Sequence, residues 1–157
     1  MTAFHHYSSP IGTLLLVGEE GRLRELHFAN SPDHQMMASV SLHQDPSLAR
    51  VATQLDEYFR GERTSFDLDL DLRGTDFQQR VWRELQNIPY GGTASYGEIA
   101  ARIGNPKACR AVGMANRRNP IPIIIPCHRV IGRDGSLTGF GGGLDVKERL
   151  LALERKA

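Results

Sequence analysis

The residues of this sequence with the clearest capacity for chemistry stand side by side in the segment Pro126-Cys127-His128-Arg129. A thiol is weakly nucleophilic until it becomes a thiolate, and a neighbouring imidazole, a cation or the free amides of a helix start activates it. On an extended strand, the side chains of Cys127 and His128 would point to opposite faces. The segment therefore predicts nucleophilic chemistry at Cys127, provided that the backbone here forms a helical or turn conformation.

Three prolines stiffen the chain that leads to this cysteine: Pro120, Pro122 and Pro126. Proline fixes φ and removes an amide donor, so this stretch cannot lie in the middle of a helix or a sheet. With Pro126 in the first turn of a short helix, Cys127 would lie among free amides that favour the anion. The usual alternative is an inert, buried cysteine, which we expect for Cys109 but not for Cys127.

A catalytic base needs a group that orients it, and the last predicted helix offers one. The apolar arc of this helix includes Leu150, and Glu154 falls about 40° from Leu150 by helical geometry. A carboxylate on an apolar stripe is costly to bury unless it is paired. Glu154 is therefore either the partner of His128 or a solvated residue of a frayed last turn, and the same two interpretations apply to Lys147.

The segment 132–143 is rich in glycine and lies between these elements. Glycine allows close approach of the backbone to a ligand, but the G-K-[S/T] of a phosphate-binding loop is absent. We expect this loop to form the wall of a ligand site and to hold no nucleotide. Phe140 either stacks on a planar group or anchors the loop.

The composition, 157 residues of which 40% are hydrophobic and 24% charged, is that of a soluble globular protein. No stretch approaches the ~20 apolar residues that span a bilayer, and the N-terminus lacks a secretory pattern. We therefore expect a cytoplasmic protein without membrane contact. Both cysteines are expected to be free thiols, and no metal site is predicted because no Cys or His spacing fits one.

The net charge of +1 conceals an asymmetry between the two halves of the chain. Residues 1–72 contain 5 Lys/Arg and 11 Asp/Glu, a net charge of −6, whereas residues 73–157 contain 14 Lys/Arg and 7 Asp/Glu, a net charge of +7. A basic half suits a polyanionic partner, since contacts of Lys and Arg to phosphates release counterions. A solvated surface of uneven charge is the alternative.

The first part of the chain has the pattern of strands with one helix. Two apolar runs, 12–17 and 23–28, flank a glycine-containing turn and predict a hairpin. Apolar spacing predicts a helix over 47–59 that ends at Gly61. Alternating apolar and acidic residues over 66–72 predict a half-buried strand with an acidic outer face. Nothing in this half indicates chemistry.

Helical patterns begin after the boundary that we place between 72 and 73, where the charge changes sign. Two helices open with a capping box, in which an N-cap hydroxyl and a side chain three residues later satisfy free amides. The first pair is Thr75 and Gln78, and the second is Ser95 and Glu98. Gly104 would end the second helix, and Asn105-Pro106 would begin a third at once. This outline is typical of a helix-turn-helix, although ordinary bundle helices share it.

The third of these helices has two different faces at 100° per residue. One side carries residues that we expect to pack: Ala108, Ala111, Val112 and Ala115. The other side carries Arg110, Met114 and Arg117. The helix therefore presents a basic face that suits DNA, if it does not simply pack in a bundle.

Taken together, these motifs resemble the O6-alkylguanine-DNA alkyltransferases. The matching segments are Pro126-Cys127-His128-Arg129-Val130, Asn119-Pro120, the glycine loop, Glu154, Ser95-Tyr96-Gly97-Glu98 and Arg110-Ala111-Val112-Gly113. The likeness is close over 75–157 and extends to 1–72 in outline. It implies an α+β fold, with a small ribonuclease H-like sheet-and-helix domain over 1–72 and a mainly helical domain with a helix-turn-helix over 73–157.

The resemblance implies that the partner is double-stranded DNA with alkylated bases, bound through the minor groove by a protein that is monomeric without DNA. The expected contacts are Tyr96, Arg110, Ala111, Gly113, Asn116 and Arg117. The damaged nucleotide is turned out of the stack with the help of Tyr96, and Arg110 fills the gap. Close approach of the backbone at Ala111 conflicts with the packing role that helical spacing gives this residue.

The implied reaction repairs O6-alkylguanine and O4-alkylthymine without a cofactor, once per protein molecule. The Cys127 thiolate attacks the alkyl carbon, after His128 has taken the thiol proton through water. Glu154 holds the imidazole, and Asn119 braces the active-site turn. The implied pocket residues are Tyr96, Val130, Phe140 and Gly141, and family members often have tyrosine where this chain has Phe140.

Two other classes of function stay open from the residues alone. A lesion-binding or transcription-regulating module would use the same helix-turn-helix, but such relatives lack the acceptor cysteine. A thiol hydrolase would use Cys127 and His128 to cleave an ester or amide repeatedly. That activity leaves the basic half and the paired helices without a role.

Overall fold

The structure is a computed structural model that describes residues 3–28, 48–137, 140 and 143–155. The chain forms two units, Met1–Leu72 and Arg73–Ala157. The first contains a sheet and one helix, and the second is mainly helical. This architecture confirms the predicted α+β class.

A three-stranded antiparallel sheet forms the first unit, with strands β1 (Ala3–Ser9), β2 (Gly12–Glu19) and β3 (Arg22–His27) in that order. The predicted hairpin is β2 with β3. Residues 14–17 of β2 are all buried, so this central strand supplies the core of the sheet. The sequence pattern did not predict β1, because its polar centre lacks an apolar run.

The helix α1 (Ala49–Phe59) packs Val51, Leu55 and Tyr58 into the interior, and Gly61 follows it with a φ of 76°, as the predicted helix stop requires. The predicted strand over 66–72 is only partly correct. It is extended, but it joins β3 at a single bridge, Leu23 to Leu70. The Gln54 side chain of α1 bonds both the amide and the carbonyl of Asp67, at 3.0 Å each, and so holds the start of this segment against the helix.

Three helices open the second unit: α2 (Asp76–Leu85), α3 (Tyr96–Arg102) and α4 (Cys109–Arg117). Both predicted capping boxes are present, and Gly104 follows α3 with a φ of 81°. The predicted start of α4 at Asn105-Pro106 is wrong, because these residues form a turn and Ala108 is the N-cap. The indole Nε1 of Trp82 donates to the carbonyl of Ala115 at 2.8 Å, which fixes α2 against α4.

A short parallel ladder brings the cysteine segment next to the start of α3. Strand β4 (Ala94–Ser95) pairs with β5 (Val130–Ile131), which follows a 3-10 turn at Cys127–Arg129. Ser95 is also the N-cap of α3, so the ladder connects the turn to Tyr96 in the first position of that helix. The last helix, α5 (Leu144–Arg155), lies against the 3-10 turn.

Candidate active site

The backbone that carries the cysteine is held inside the second unit, where every residue from 121 to 130 is buried. Asn119 braces this segment in both directions, since its Oδ1 accepts from the amide of Ile121 at 2.9 Å and its Nδ2 donates to the carbonyl of Ile125 at 2.7 Å. Ile123 has a φ of 75°, an uncommon conformation for a β-branched residue. The surrounding contacts therefore hold a strained path that leads to Cys127.

Cys127 is the first residue of the 3-10 turn, which is the turn conformation that the chemistry requires. The amide of Arg129 closes the turn on the carbonyl of Pro126 at 3.0 Å, and the thiol-bearing residue is 4% exposed. The position predicted for Pro126 is shifted by one residue, because Pro126 precedes the turn as its N-cap. The amide of Cys127 bonds the carbonyl of Ile125 at 2.7 Å.

Burial raises the pKa of the Cys127 thiol to about 11. A hydrogen bond from Asn119, the charge of Lys147 and the amides of Cys127 and His128 all act in the opposite direction, but burial dominates. The cysteine is therefore a thiol at neutral pH. A nucleophile forms here only if a neighbouring group removes the proton.

His128 and Glu154 form a buried hydrogen-bonded pair, with the imidazole Nε2 at 2.6 Å from the carboxylate Oε2. An ionised carboxylate only accepts, so Nε2 carries the proton and Nδ1 keeps its lone pair. Nδ1 is buried and has no hydrogen-bond partner among the described residues. Burial lowers the pKa of His128, and the Glu154 carboxylate opposes this shift. The imidazole is thus a neutral, oriented base.

Arg129 binds the same carboxylate through two nitrogens. Its Nε lies 2.8 Å from Oε1 of Glu154 and its Nη2 lies 3.1 Å from Oε2, while Nη1 donates to the carbonyl of Ile88 at 2.7 Å. The guanidinium also lies 5.8 Å from the centre of the Tyr90 ring. The sequence suggested Arg129 as a cation beside the thiol, whereas the structure directs it to Glu154.

For Glu154 and Lys147, the sequence left open a buried, paired position or a solvated one, and the structure supports the buried position. Glu154 is 2% exposed and paired, and Lys147 on the same helix is 0% exposed with its Nζ 2.6 Å from the carbonyl oxygen of Val130. Val130 itself is fully buried, directly after the turn. The 3-10 turn and α5 therefore bring together Cys127, His128, Arg129, Lys147 and Glu154.

The outer face of α4 carries the basic residues Arg110 and Arg117 together with Met114, which is 51% exposed. The packing role predicted for Ala111 is wrong, because this residue is exposed beside Arg110. The inner face is formed by Val112, Ala115 and Asn116. Ala111 tolerates exposure because its methyl group contributes little to core packing.

Asn116 requires a correction as a candidate DNA contact. Its side chain is 2% exposed, and its Nδ2 donates to the carbonyl of Cys127 at 3.4 Å. The residue therefore supports the active-site turn from within and does not reach the surface of α4. Helical spacing alone places Asn116 beside Val112 on the inner face, a signal that was available in the sequence.

The candidate pocket residues lie in different parts of the second unit. The ring of Tyr96 lies beside Gly113, where an added Cβ would meet it at 3.9 Å, so the start of α3 and the middle of α4 approach closely. Phe140 is half-buried, and its carbonyl accepts from the amide of Gly143 at 3.0 Å. Gly141 lies outside the described residues.

Within the described part of the chain, no three His, Cys, Asp or Glu side chains are grouped so as to hold a metal ion. Cys109 and Cys127 are both free, and Cys109 is exposed. Among residues 3–28, 48–137 and 143–155, no helix has the length and apolar character to cross a bilayer.

Similar proteins were found for both units. Residues 3–72 match the family model described as 6-O-methylguanine DNA methyltransferase, ribonuclease-like domain, and residues 76–156 match the DNA binding domain of the same family. The methylated-DNA–protein-cysteine methyltransferase of Mycolicibacterium paratuberculosis is 52% identical over 156 residues, which cover 99% of this chain and 94% of that protein. The protein of the same name from Methanosarcina acetivorans is 51% identical over 148 residues, which cover 94% of this chain and 95% of that protein.

Solved structures give the same result. The crystal structure of Mycobacterium tuberculosis OGT in complex with DNA is 51% identical, with a TM-score of 0.89 over 98% of this chain and 93% of that one. The O6-methylguanine-DNA methyltransferase of Pyrococcus kodakaraensis is 25% identical, with a TM-score of 0.62 over 98% and 99% of the two chains. The chain therefore belongs to the 6-O-methylguanine DNA methyltransferase family.

Proposed function

We propose that this chain is a methylated-DNA–protein-cysteine methyltransferase that repairs DNA by moving an alkyl group from O6 of guanine to Cys127. The observation that carries the proposal is the buried series of Cys127, His128 and Glu154, in which a protonated thiol adjoins a neutral, oriented base in the same unit as a basic outer helix. O4-alkylthymine, whose alkyl group is attached to a similar oxygen, is a second proposed substrate.

The reaction begins with removal of the thiol proton. His128 accepts it at Nδ1, the ring nitrogen that keeps its lone pair, through a bridging water molecule. The Glu154 carboxylate holds the ring by Nε2 and stabilises the imidazolium that forms. Asn119 keeps the turn in place from the preceding loop and donates to the sulfur. The proton returns to the departing base in the next step.

In the transfer step, the thiolate sulfur attacks the alkyl carbon and a carbon–sulfur bond forms. The bond from that carbon to O6 breaks, its electrons pass to the guanine, and a ring nitrogen takes up the proton that the thiol lost. The products are a thioether at Cys127 and an unmodified guanine. Because a thioether does not return to a thiol under these conditions, each molecule reacts once, and no cofactor is required.

The base must leave the duplex to reach a buried sulfur. We propose that α4 enters the minor groove, that Arg110 fills the space left in the base stack, and that Arg117 binds the backbone. Ala111 and Gly113 give α4 a small outer surface there. The pocket would be lined by Tyr96, Val130, Phe140 and Gly141. With the domain boundary between residues 72 and 73, the second unit would carry out both DNA binding and alkyl transfer. The protein would act as a monomer in the cytoplasm.

The test uses a DNA duplex that contains one O6-methylguanine. Incubation with excess duplex should add one methyl group per protein, and peptide mass analysis should place it on Cys127. The variant Cys109→Ser should react like the unmodified chain, whereas Cys127→Ser should not be labelled. Repeated turnover of the substrate, or a label on Cys109, would contradict the proposal. DNA binding without any label would favour a lesion-binding module instead.

A further inference from the structure

Tyr90 is a half-buried aromatic residue to which the proposed reaction has given no part. It lies in the turn between α2 and β4, where the amide of Gly92 donates to the carbonyl of Pro89 at 2.8 Å and Gly91 has a φ of 80°. This combination is typical of a type II turn, with Tyr90 in the second of its four positions. The closed turn therefore restricts where the ring of Tyr90 can lie.

The same segment approaches the ion pair of Arg129 and Glu154 at three points. The carbonyl of Ile88 accepts from Nη1 of Arg129 at 2.7 Å. The ring of Tyr90 lies against the guanidinium, with 5.8 Å between the ring centre and Cζ of Arg129. A Cβ added at Gly91 would lie 3.5 Å from the backbone carbonyl oxygen of Glu154, so the turn also comes close to the end of α5.

The contact between Tyr90 and Arg129 has the geometry of a cation–π interaction. A guanidinium within about 6 Å of a ring centre is attracted by the ring quadrupole, and most strongly where water is excluded. Arg129 is only 7% exposed. Burial raises the pKa of the Tyr90 phenol, the Glu154 carboxylate adds to this rise, and the Arg129 guanidinium opposes it. The ring therefore lies close to both charges of the pair and helps to keep water from them.

The position of the guanidinium matters to His128 because both side chains bind the same carboxylate. Oε2 of Glu154 lies 2.6 Å from Nε2 of His128 and 3.1 Å from Nη2 of Arg129. A guanidinium that turned away would free this oxygen to move with the imidazole, and it would leave more negative charge beside the ring. The orientation of His128 thus depends on what holds Arg129.

We infer that Tyr90 is a positioning residue whose ring holds the Arg129 guanidinium in place and so keeps His128 oriented as the base. This inference rests on the proposed function and adds a residue to it. The contacts run from the ring of Tyr90 to Arg129, from there to Glu154, and from Glu154 to the imidazole. Tyr90 acts through this series of contacts and not on the substrate.

The experiment compares three side chains at position 90. Tyr90→Phe keeps the ring and removes the hydroxyl, whereas Tyr90→Leu keeps apolar bulk and removes the ring. 4-Cyanophenylalanine at this position keeps a ring of similar shape, but its cyano group withdraws electrons and weakens the attraction of the ring for a cation. The matched control is Pro89→Ala, which changes an exposed residue of the same turn and leaves the ring in place.

The first readout is the titration of the His128 imidazole by NMR in the free protein. The second is the single-turnover rate of methyl transfer as a function of pH, at saturating duplex. Glu154 and Lys147 of α5 act on the charge of this imidazole, as does Arg129 of its own turn. All three are unchanged in these variants, so a shifted titration reports a change in their placement or in the access of water.

Tyr90→Leu should raise the midpoint of the His128 titration by about half a pH unit or more, because the imidazole loses burial and the opposing charge of Arg129. The acid limb of the rate profile should move to higher pH with it, and methyl transfer at neutral pH should slow about fivefold to tenfold. Tyr90→Phe and Pro89→Ala should behave like the unmodified protein, and the cyano variant should fall between Phe and Leu. Affinity for the duplex, measured by fluorescence anisotropy, should not change in any of them.

A merely structural tyrosine gives a different result. Tyr90→Leu would then lose stability in urea, while the His128 titration and the transfer rate stayed as in the unmodified protein. A Tyr90→Phe protein as slow as Tyr90→Leu would assign the role to the hydroxyl. Either result overturns the inference. The His128 titration requires neither DNA nor methyl transfer, so a failure of the proposed function would show separately as an unlabelled Cys127 in the unmodified chain.

Discussion

The imidazole of His128 and the carboxylate of Glu154 meet at 2.6 Å in a site that excludes solvent from both side chains. The same carboxylate accepts two hydrogen bonds from Arg129. The Glu154 carboxylate can therefore orient His128 while the Arg129 guanidinium balances the negative charge of the carboxylate. Burial lowers the pKa of His128, and the charge of Arg129 acts in the same direction, so the imidazole is neutral at rest, which a base must be before it can take a proton from a thiol.

We predict that Glu154→Gln damages both stability and chemistry. The amide cannot balance the buried charge of Arg129, so the free energy of unfolding should fall by about 3–5 kcal/mol. It also stabilises the imidazolium less well, and methyl transfer should slow about 100-fold. Urea unfolding and single-turnover transfer measure the two effects. Glu148→Gln, on the exposed side of α5, is the control, and a Glu154→Gln protein with the unmodified rate would remove Glu154 from the mechanism.

A second prediction concerns stability in alkali. The unfolded chain releases the Cys127 proton near the ordinary pKa of 9.0, whereas burial raises the pKa in the folded protein to about 11. Between these values the folded state holds a proton that the unfolded state has lost, so a rise in pH favours unfolding. The free energy of unfolding should fall by up to about 3 kcal/mol across this range. Cys127→Ala should lack this part of the fall.

The measurement is urea unfolding at a series of pH values, and the informative quantity is the difference between the unmodified protein and Cys127→Ala. Subtraction removes the contributions of lysines and tyrosines that titrate in the same range. Cys109→Ala, which removes the exposed thiol, is the control substitution, and the curves of both variants are compared with that of the unmodified protein. If the curve of Cys127→Ala ran parallel to that of the unmodified protein, burial would not raise the pKa of the Cys127 thiol.

Local patterns were sufficient to predict several features of this fold. Both capping boxes depend on side chains three residues apart, and the helical arc that contains Glu154 depends on spacing within one helix. These signals are read without knowing what packs against them. The choice between a paired and a solvated Glu154 was not local, because His128 and Arg129 approach it from 26 and 25 residues away.

The errors have different origins. Alanine is compatible with either face of a helix, so spacing could not place Ala111 outside. Asn116 was expected at the DNA because of the family resemblance, although helical spacing places it on the inner face, where its side-chain amide bonds the Cys127 carbonyl. The left-handed conformation of Ile123 has no sequence signal, because it occurs in a loop whose two sides are held by the Asn119 side chain through Ile121 and Ile125.

Arg110 gives a prediction about DNA that separates base flipping from chemistry. If its side chain replaces the flipped nucleotide, Arg110→Ala should slow methyl transfer from a duplex about 10- to 100-fold, because flipping costs a few kcal/mol. Transfer from the free base O6-methylguanine needs no flipping and should keep its rate. Arg60→Ala, an exposed arginine of the first unit, should change neither. An equal loss with both substrates would place the role of Arg110 in the pocket instead.

The final prediction tests the exposure of Ala111 on the outer face of α4. The minor groove is only about 6 Å wide, so a helix that enters it must keep a small surface. Ala111→Leu adds bulk there and should weaken binding to a duplex about tenfold or more, as measured by fluorescence anisotropy. Leucine and alanine have similar helix propensities, so stability should hardly change.

The matched control for this substitution is Ala152→Leu, which adds the same side chain at an exposed position of α5. It should leave the affinity for DNA unchanged. Reaction of the Ala111→Leu protein with free O6-methylguanine should also keep its rate, because the thiol and its base are untouched. Unchanged duplex affinity in Ala111→Leu would mean that this face of α4 does not enter the groove, and the proposed DNA interface would have to be moved to another surface of the second unit.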